Sequence, residues 1–238
     1  MRIAFRAPVF VALLIATGLT RAEVQAELSG HWEGSVRIPG AELAIEIDLV
    51  KNQQENVEGT ISMPDQNLHG LPLQKITLNG SSVSFQARTD QPFSGRLSAD
   101  GQSISGDLSF QGYSIPFGLT RTGDAHIETL PKISAVSKVL EGTWEGSLDI
   151  EDTRLRLVLS VTNRSGGAIA SITNLNEGGL QIPVTSLRQS GGTVNFELSA
   201  TGGTWSGALN GAGTELNGTY KQGTLAAPLT LHRAAAKR

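Results

Sequence analysis

Hydrophobic and polar residues alternate with a period of two along much of this chain. Over residues 43–49, leucine or isoleucine occupies every second position, and alanine, glutamate and aspartate lie between them. The same alternation recurs over 83–87, 155–161 and 194–198. Since successive side chains of a β-strand point to opposite faces, this period predicts strands with one buried face and one wet face.

Turn-forming residues separate these segments and predict hairpin connections. Asn79-Gly80, Asp100-Gly101 and Ser190-Gly191-Gly192 each flank an alternating run, and such pairs suit tight turns. The first half of the chain predicts about eight short strands, near residues 36, 46, 59, 75, 84, 95, 107 and 117. Evenly spaced strands indicate an antiparallel meander, and closing the meander removes its exposed edges. We therefore predict an all-β fold of small up-and-down β-barrels, with β-sandwiches as the alternative.

The sequence contains the same unit twice. Residues 28–35, Leu-Ser-Gly-His-Trp-Glu-Gly-Ser, correspond to Leu-Glu-Gly-Thr-Trp-Glu-Gly-Ser at 140–147. Further matches follow in the same order at a shift of 111 or 112 residues, as far as the two closing arginines. An ordered series of matches is typical of a duplicated domain. We predict two tandem barrels over 27–122 and 140–234, with a linker over 123–139.

The N-terminus has the parts of a secretory signal peptide. Two arginines precede an apolar stretch over 7–19, and small residues form two candidate cleavage sites, after Ala22 and after Ala26. The apolar stretch is shorter than the ~20 residues that span a bilayer as a helix. We predict a signal peptide over 1–22, or to residue 26, a periplasmic or secreted protein, and no membrane span after cleavage. The alternative is an uncleaved N-terminal membrane anchor.

Charge and cysteine content exclude several classes of function. The chain has 19 Lys and Arg against 22 Asp and Glu, a formal net charge of −3, and no cysteine. Because neutralisation of phosphates supplies most of the affinity for nucleic acids, we expect no nucleic-acid partner. The lack of cysteine excludes disulfides, thiol nucleophiles and Cys-ligated metals.

The sequence offers no convincing catalytic or metal-binding constellation. The G-x-S-x-G motif of serine hydrolases is absent, because Gly203–Gly207 has a different spacing and lies in a predicted strand. The four histidines lack partners at zinc-ligand spacing, and only His69 lies near other candidate polar groups. Glu33 and Glu145 occupy equivalent positions, and the alternation favours a solvent-facing place for both. We predict no enzyme, no cofactor and no metal.

Each unit carries G-x-W-x-G on its first strand and an arginine at the end of its last strand. These structural signature residues are Gly30, Trp32, Gly34 and Arg121 in the first unit, and Gly142, Trp144, Gly146 and Arg233 in the second. A guanidinium over an indole gains cation–π energy while its stem covers apolar surface. The pattern resembles that of the calycins, the lipocalins and streptavidin. The resemblance implies a barrel whose tryptophan packs under one end with the arginine across it.

A closer resemblance is to the β-domain that precedes the catalytic domain of some exported bacterial α/β hydrolases. The matching segments are Gly30–Gly34, 43–50, Ser62–Gln66, Leu71-Pro72-Leu73 and Gln111-Gly112 with Pro116-Phe117. The second unit departs from the pattern at Thr173–Glu177, and the chain carries no hydrolase motif. The resemblance implies a module that accompanies an activity rather than one that reacts.

The sequence thus predicts a non-catalytic binding or accessory protein, whose partner is another exported protein or an apolar small molecule. The alternative is a lipocalin-type carrier of a small apolar ligand. Eight-stranded barrels are filled by side chains or hold one small molecule, so a packed interior and a cavity both stay open. Candidate ligand-facing residues are the inward-pointing Leu43, Ile45, Phe85, Leu155, Leu157 and Phe196.

Overall fold

The protein is built of β-strands throughout the part described by its structure, a computed structural model covering residues 27–54, 56–150 and 152–235. Two single 3-10 turns, Pro64–Gln66 and Ser199–Thr201, interrupt the strands. The predicted signal peptide lies outside the described residues. Within them, no helix is long and apolar enough to cross a membrane.

The first unit forms one antiparallel sheet of nine strand segments. These are β1 (Gly30–Ile38), β2 (Ala41–Lys51), β3 (Val57–Met63), β4 (Leu68–Pro72), β5 (Gln74–Asn79), β6 (Ser82–Gln86), β7 (Phe93–Leu97), β8 (Ser103–Phe110) and β9 (Tyr113–Gly123). Their order in the sheet is β4-β3-β2-β1-β9-β8-β7-β6-β5. The first and last strands, β1 and β9, are therefore neighbours, and hairpins join the others.

The two ends of this sheet are joined by the chain itself. Only Leu73 separates β4 from β5. The Leu73 amide donates to the Gly59 carbonyl on β3 at 2.8 Å, while the next residue, Gln74, already pairs with Gln86 on β6. One bent strand thus contacts both sheet ends and closes an up-and-down barrel, which confirms the predicted fold class.

The predicted fourth strand, near residue 75, is the bent one and is two segments rather than one. Lys75 has a positive φ of 51°, and the β5–β6 register shifts between Gln74 and Thr77. A bulge of this kind bends a strand and increases its twist. The bend lets the strand leave β3 and join β6, so nine segments form where about eight strands are predicted.

The second unit repeats this topology. Its strands are β10 (Gly142–Ile150), β11 (Thr153–Arg164), β12 (Gly167–Asn174), β13 (Leu180–Pro183), β14 (Ser186–Ser190), β15 (Thr193–Leu198), β16 (Gly203–Leu209), β17 (Glu215–Gln222) and β18 (Leu225–Arg233). Val184 and Thr185 separate β13 from β14 and close the sheet. The Val184 amide donates to Ala170 on β12, and the Thr185 amide donates to Glu197 on β15, each at 2.9 Å.

Alternation along the strands produces a separate apolar core in each barrel. On β2, Ile45, Ile47 and Leu49 are at most 1% exposed, whereas the residues between them are partly exposed. Ile47 lies opposite Trp32 on β1. Full burial of an aliphatic side chain of this size contributes roughly 1.5–3 kcal/mol, so the inward face of the strands stabilises each curled sheet.

The two barrels pack against each other beside β4 and β13. Leu180 and Ala200 belong to the second unit by sequence but are buried in the core cluster of the first barrel. The carbonyl of Gly178 accepts hydrogen bonds from both the amide and the hydroxyl of Thr89, at 2.9 and 2.8 Å. Apolar packing and hydrogen bonds therefore fix the two barrels relative to each other.

The segment predicted as a linker is attached to both barrels. The amide of His126 donates to Oδ1 of Asp48 in the first barrel at 2.8 Å. Ile133 forms an isolated bridge with Ala168 on β12, and the amide of Val136 donates to Oδ1 of Asn163 at 3.0 Å. The connecting segment is thus held against both barrels by these contacts.

Candidate ligand-binding site

One end of each barrel is covered by its signature tryptophan and arginine. The Arg121 guanidinium lies 4.5 Å from the ring centre of the fully buried Trp32, and Arg233 lies 4.1 Å from that of Trp144. Both indoles donate to a carbonyl four residues earlier, at 3.1 and 3.0 Å. Arg121 also donates to the Ser29 carbonyl, so the guanidinium holds the entering chain over this end.

The signature glycines allow these close approaches. A Cβ on Gly30 would lie 3.0 Å from a nitrogen of Arg121, and one on Gly142 would lie 2.9 Å from the same nitrogen of Arg233. A Cβ on Gly34 would lie 2.9 Å from the Cα of Leu119 on the facing strand. Gly30 and Gly142 also have φ of 154° and 129°, which side-chain-bearing residues rarely adopt, and Gly34 is required because backbone of the facing strand occupies the place of its Cβ.

Aromatic side chains fill the middle of each barrel. Phe85 stacks on Phe93 with ring centres 4.9 Å apart, and Phe117 meets Phe93 edge-on at 5.2 Å. In the second barrel Phe196 stacks on Trp205 at 5.2 Å. Stacked and edge-on pairs at these distances stabilise a core beyond their simple burial. The interior next to the covered end is therefore packed.

The opposite ends of the two barrels open into one shared cavity of about 450 Å³. Its walls come from both units and are mainly aliphatic. Apolar wall residues of the first barrel include Val36, Leu43, Ile45, Ile61, Leu71 and Leu108, and those of the second include Leu148, Leu155, Leu157, Ile172, Leu198 and Leu229. The cavity thus lies between the barrels, a position that periodicity within one unit does not predict.

The structure places most of the candidate ligand-facing residues in this wall. Leu43, Ile45, Leu155, Leu157 and Phe196 all line the cavity. The sixth candidate, Phe85, points inward and is only 2% exposed, but its ring stacks in the aromatic layer beneath the cavity. Alternation predicts the face of a strand but does not predict the depth within a barrel, because depth depends on strand tilt and stagger.

A strip of polar residues crosses the cavity wall where the barrels meet. This polar strip consists of Gln66, Arg88, Gln91, Asn174, Glu177 and Thr201. Arg88 and Glu177 directly adjoin Thr89 and Gly178, the pair that hydrogen-bonds across the junction. The polar strip therefore lies beside the junction and takes three residues from each barrel.

The cation of the polar strip, Arg88, is paired with a carboxylate. The Arg88 guanidinium donates twice to the carboxylate of Asp90, at 3.1 and 3.0 Å, and hydrogen bonding to Arg88 is the main reason that the pKa of Asp90 is lowered. At the second barrel's mouth, burial raises the pKa of the Tyr220 phenol, whose hydroxyl donates to Gln222 at 2.9 Å. The cavity wall therefore carries neutral polar groups, a paired cation and the carboxylate of Glu177.

The polar residues considered for chemistry are not assembled into a reactive group. His69 is exposed on β4. The hydroxyl of Ser206, on the outer face of β16, donates to the side-chain oxygen of Asn195 on β15. His31 contacts Asp48 across the β1–β2 pair at 2.9 Å, and that hydrogen bond raises the pKa of the imidazole. Among the described residues, no group of three or more His, Asp and Glu is arranged to hold a metal ion.

Glu33 and Glu145 lie on the solvent side of their strands, where the alternation places them. Glu33 accepts a hydrogen bond from Thr122 at 3.1 Å, away from the cavity. The His31–Asp48 contact is a polar pair that sequence reasoning missed. The two residues lie directly opposite each other on paired strands. Their contact could therefore be predicted from the register of the β1–β2 pair but not from their spacing along the sequence.

Comparison with known proteins finds little similarity. No family model and no curated protein matches the chain. Among solved structures, it is similar to a "putative outer membrane protein" of Bacteroides fragilis, at 13% identity and a TM-score of 0.28, over 87% of this chain and 98% of that one. It is also similar to a protein of unknown function from the DUF3598 family of Nostoc punctiforme, at 14% identity and a TM-score of 0.26, over 87% and 96%. Scores this low carry no argument about function.

Proposed function

We propose that this is an exported, non-catalytic binding protein that carries one small apolar molecule between two calycin-like barrels. The shared cavity is the observation that supports this function. Ligand pockets of about 300–1,000 Å³ with predominantly apolar walls are typical small-molecule sites, and the cavity of about 450 Å³ falls in that range. The alternating strands and the paired tryptophan and arginine support the calycin-like character.

The affinity for such a molecule comes from removing apolar surface from water, at roughly 25 cal/mol per Å². Aliphatic residues of both barrels provide the complementary surface, and the packed aromatic layers beneath them limit how deeply a ligand can enter. We therefore expect a ligand the size of one medium-length hydrocarbon chain, bound without covalent chemistry.

An accessory role toward another exported protein is the first prediction from the sequence and stays a prediction. The resemblance to the β-domain of exported hydrolases supports it. Native mass spectrometry on protein purified from its own host separates the two roles. A retained small-molecule mass supports the carrier, whereas an unloaded chain with a co-purifying protein supports the accessory role.

Substitution of Ala87 tests the carrier function directly. Ala87 lines the cavity, and its equivalent in the second barrel is Leu198, which also lines it. Ala87→Leu therefore introduces a side chain that the duplicated fold already accommodates, but it fills space that a ligand would use. We expect binding of the neutral fluorophore N-phenyl-1-naphthylamine to weaken about tenfold, a change of roughly 1.4 kcal/mol. Fluorescence titration measures this change.

Ala226→Leu provides the matched control. Ala226 is exposed on the outer face of β18, so the same chemical change leaves the cavity untouched and fluorophore affinity should stay within about twofold. Equal weakening in both variants, or no binding by the unmodified protein, would contradict the carrier function.

A further inference from the structure

The polar strip predicts the ligand's chemistry, an inference that rests on the proposed carrier function. Both barrels contribute apolar wall to the cavity, the first with Ile45 and Ile61 and the second with Leu157 and Ile172, and polar residues beside the junction come from both as well. A ligand that fills the whole cavity must therefore have apolar groups at both ends, and its middle must contact the polar strip.

Asn174 provides the most specific feature of the strip. The residue is only 5% exposed, lines the cavity at the end of β12, and pairs in register with Leu180, which packs in the first barrel's core. Its side-chain Oδ1 accepts a hydrogen bond from the amide of Asn176 at 3.0 Å. That bond fixes the amide orientation, since only the oxygen can accept.

The other side-chain atom of Asn174, the Nδ2 donor, has no hydrogen-bond partner among the described residues. Nδ2 of Asn174 is not among the fully buried side-chain atoms that lack a partner, so it keeps accessible surface and, because Asn174 lines the cavity, it is available as a donor to a bound molecule. An acceptor oxygen supplied by a ligand at the junction would satisfy it.

The duplication shows that this polar group is not required by the fold. At a shift of 111 residues, Asn174 corresponds to Met63, which lines the cavity from the first barrel. The same barrel architecture thus accepts an apolar side chain at this place. The asparagine adds a hydrogen-bond donor to one side of an otherwise apolar cavity.

The charges near the strip favour a neutral ligand. Arg88 is paired with Asp90, and Glu177 adds a half-buried carboxylate to the wall. A carboxylate or phosphate on the ligand would meet Glu177 without a free cation to balance it on the strip. A neutral carbonyl, as in an ester or ketone, satisfies the Asn174 donor without this repulsion.

We propose that the cavity holds a single elongated molecule that spans both barrels, with a neutral carbonyl near its middle bonded to Asn174 and an apolar arm in each barrel. The stoichiometry is one ligand per chain. A separate ligand in each barrel does not fit this arrangement, because the two mouths open into the same space.

Three isomers of one molecular formula test the position and the charge of the polar group. Octyl octanoate carries its ester in the middle, methyl pentadecanoate carries it at one end, and palmitic acid carries a terminal carboxylate. Competition with N-phenyl-1-naphthylamine gives affinities, and native mass spectrometry gives stoichiometry. We expect octyl octanoate to bind about fivefold more tightly than either isomer, as one additional hydrogen bond allows, with one molecule per chain.

The variant Asn174→Met tests the residue assigned to the carbonyl, because it copies the residue of the first barrel. We expect it to remove the preference for octyl octanoate while leaving methyl pentadecanoate affinity within about twofold. Far-ultraviolet circular dichroism checks folding, and the isomer comparison in the unmodified protein needs no variant.

Equal binding of the two esters, tighter binding of palmitic acid, two ligands per chain or an unchanged preference in the variant would overturn this inference and leave the carrier function standing. Failure of all three isomers and of the fluorophore to bind would refute the carrier function itself.

Discussion

At the scale of single residues, the signature tryptophans combine three stabilising effects. Trp32 and Trp144 are fully buried, donate to nearby backbone carbonyls and lie beneath a guanidinium. The arginine in turn donates to backbone carbonyls of the entering chain. Each tryptophan therefore connects the start of a unit to its end.

Truncation of either tryptophan should be strongly destabilising. Trp32→Ala and Trp144→Ala should each lower the free energy of unfolding by roughly 3–5 kcal/mol, because each leaves a large cavity in a packed core. Urea denaturation followed by far-ultraviolet circular dichroism measures the loss. Tyr113, which is 72% exposed, is the control, and its change to alanine should cost less than about 0.5 kcal/mol. Losses under about 1 kcal/mol at both tryptophans would contradict this account.

At the scale of elements, barrel closure depends on close approach of the first and last strands. Gly34 on β1 pairs with Leu119 on β9. A Cβ on Gly34 would lie 2.8 Å from the carbonyl carbon of Gly118, closer than real Cβ atoms come. Gly118 itself has open space where a Cβ would stand. Two glycines on paired strands therefore have different roles.

Alanine substitutions at these two glycines should separate the roles. Gly34→Ala forces the closing strands apart and should lower the free energy of unfolding by about 1–3 kcal/mol or more. Gly118→Ala should leave stability within about 1 kcal/mol, or raise it slightly, since alanine is favoured over glycine inside a strand. Chemical denaturation of both variants provides the comparison. Similar losses at both positions would show that closure is not the cause.

At the scale of the whole molecule, the two barrels enclose a space that neither encloses alone. Duplication supplies two barrels with the same apolar mouth, and the junction between β4 and β13 brings those mouths together. The Thr89–Gly178 hydrogen bonds and the buried Leu180 hold this arrangement. Any change at the junction is therefore expected to affect ligand binding as well as stability.

Removal of one hydroxyl at the junction tests this coupling. Thr89→Val eliminates the bond from Oγ1 to Gly178 and should lower the free energy of unfolding by about 1 kcal/mol and octyl octanoate affinity by about threefold. Thr77, whose hydroxyl bonds Ser84 within one barrel at 2.8 Å, is the control. Thr77→Val should leave affinity unchanged. Denaturation and competition titration report the two quantities, and equal effects on affinity would contradict the coupling.

Much of the fold follows from the sequence alone. Alternation over 43–49 and its counterparts, turn residues such as Asn79-Gly80 and the repeat of G-x-W-x-G predict strands, hairpins and two barrels, because these signals are local or recur at a fixed interval. Inward faces are also predictable, so most candidate ligand-facing residues do line the cavity.

The tertiary structure decided the rest. Hydrophobic periodicity does not predict the bulge at Lys75 that closes the first barrel. It also does not predict the place of Phe85 below the cavity or the unpartnered donor of Asn174. Each depends on how segments distant in sequence approach each other. A period-two pattern specifies which side of a strand is buried, whereas the packing of curled sheets determines what each buried side chain meets, and here that packing set two barrel mouths around one cavity.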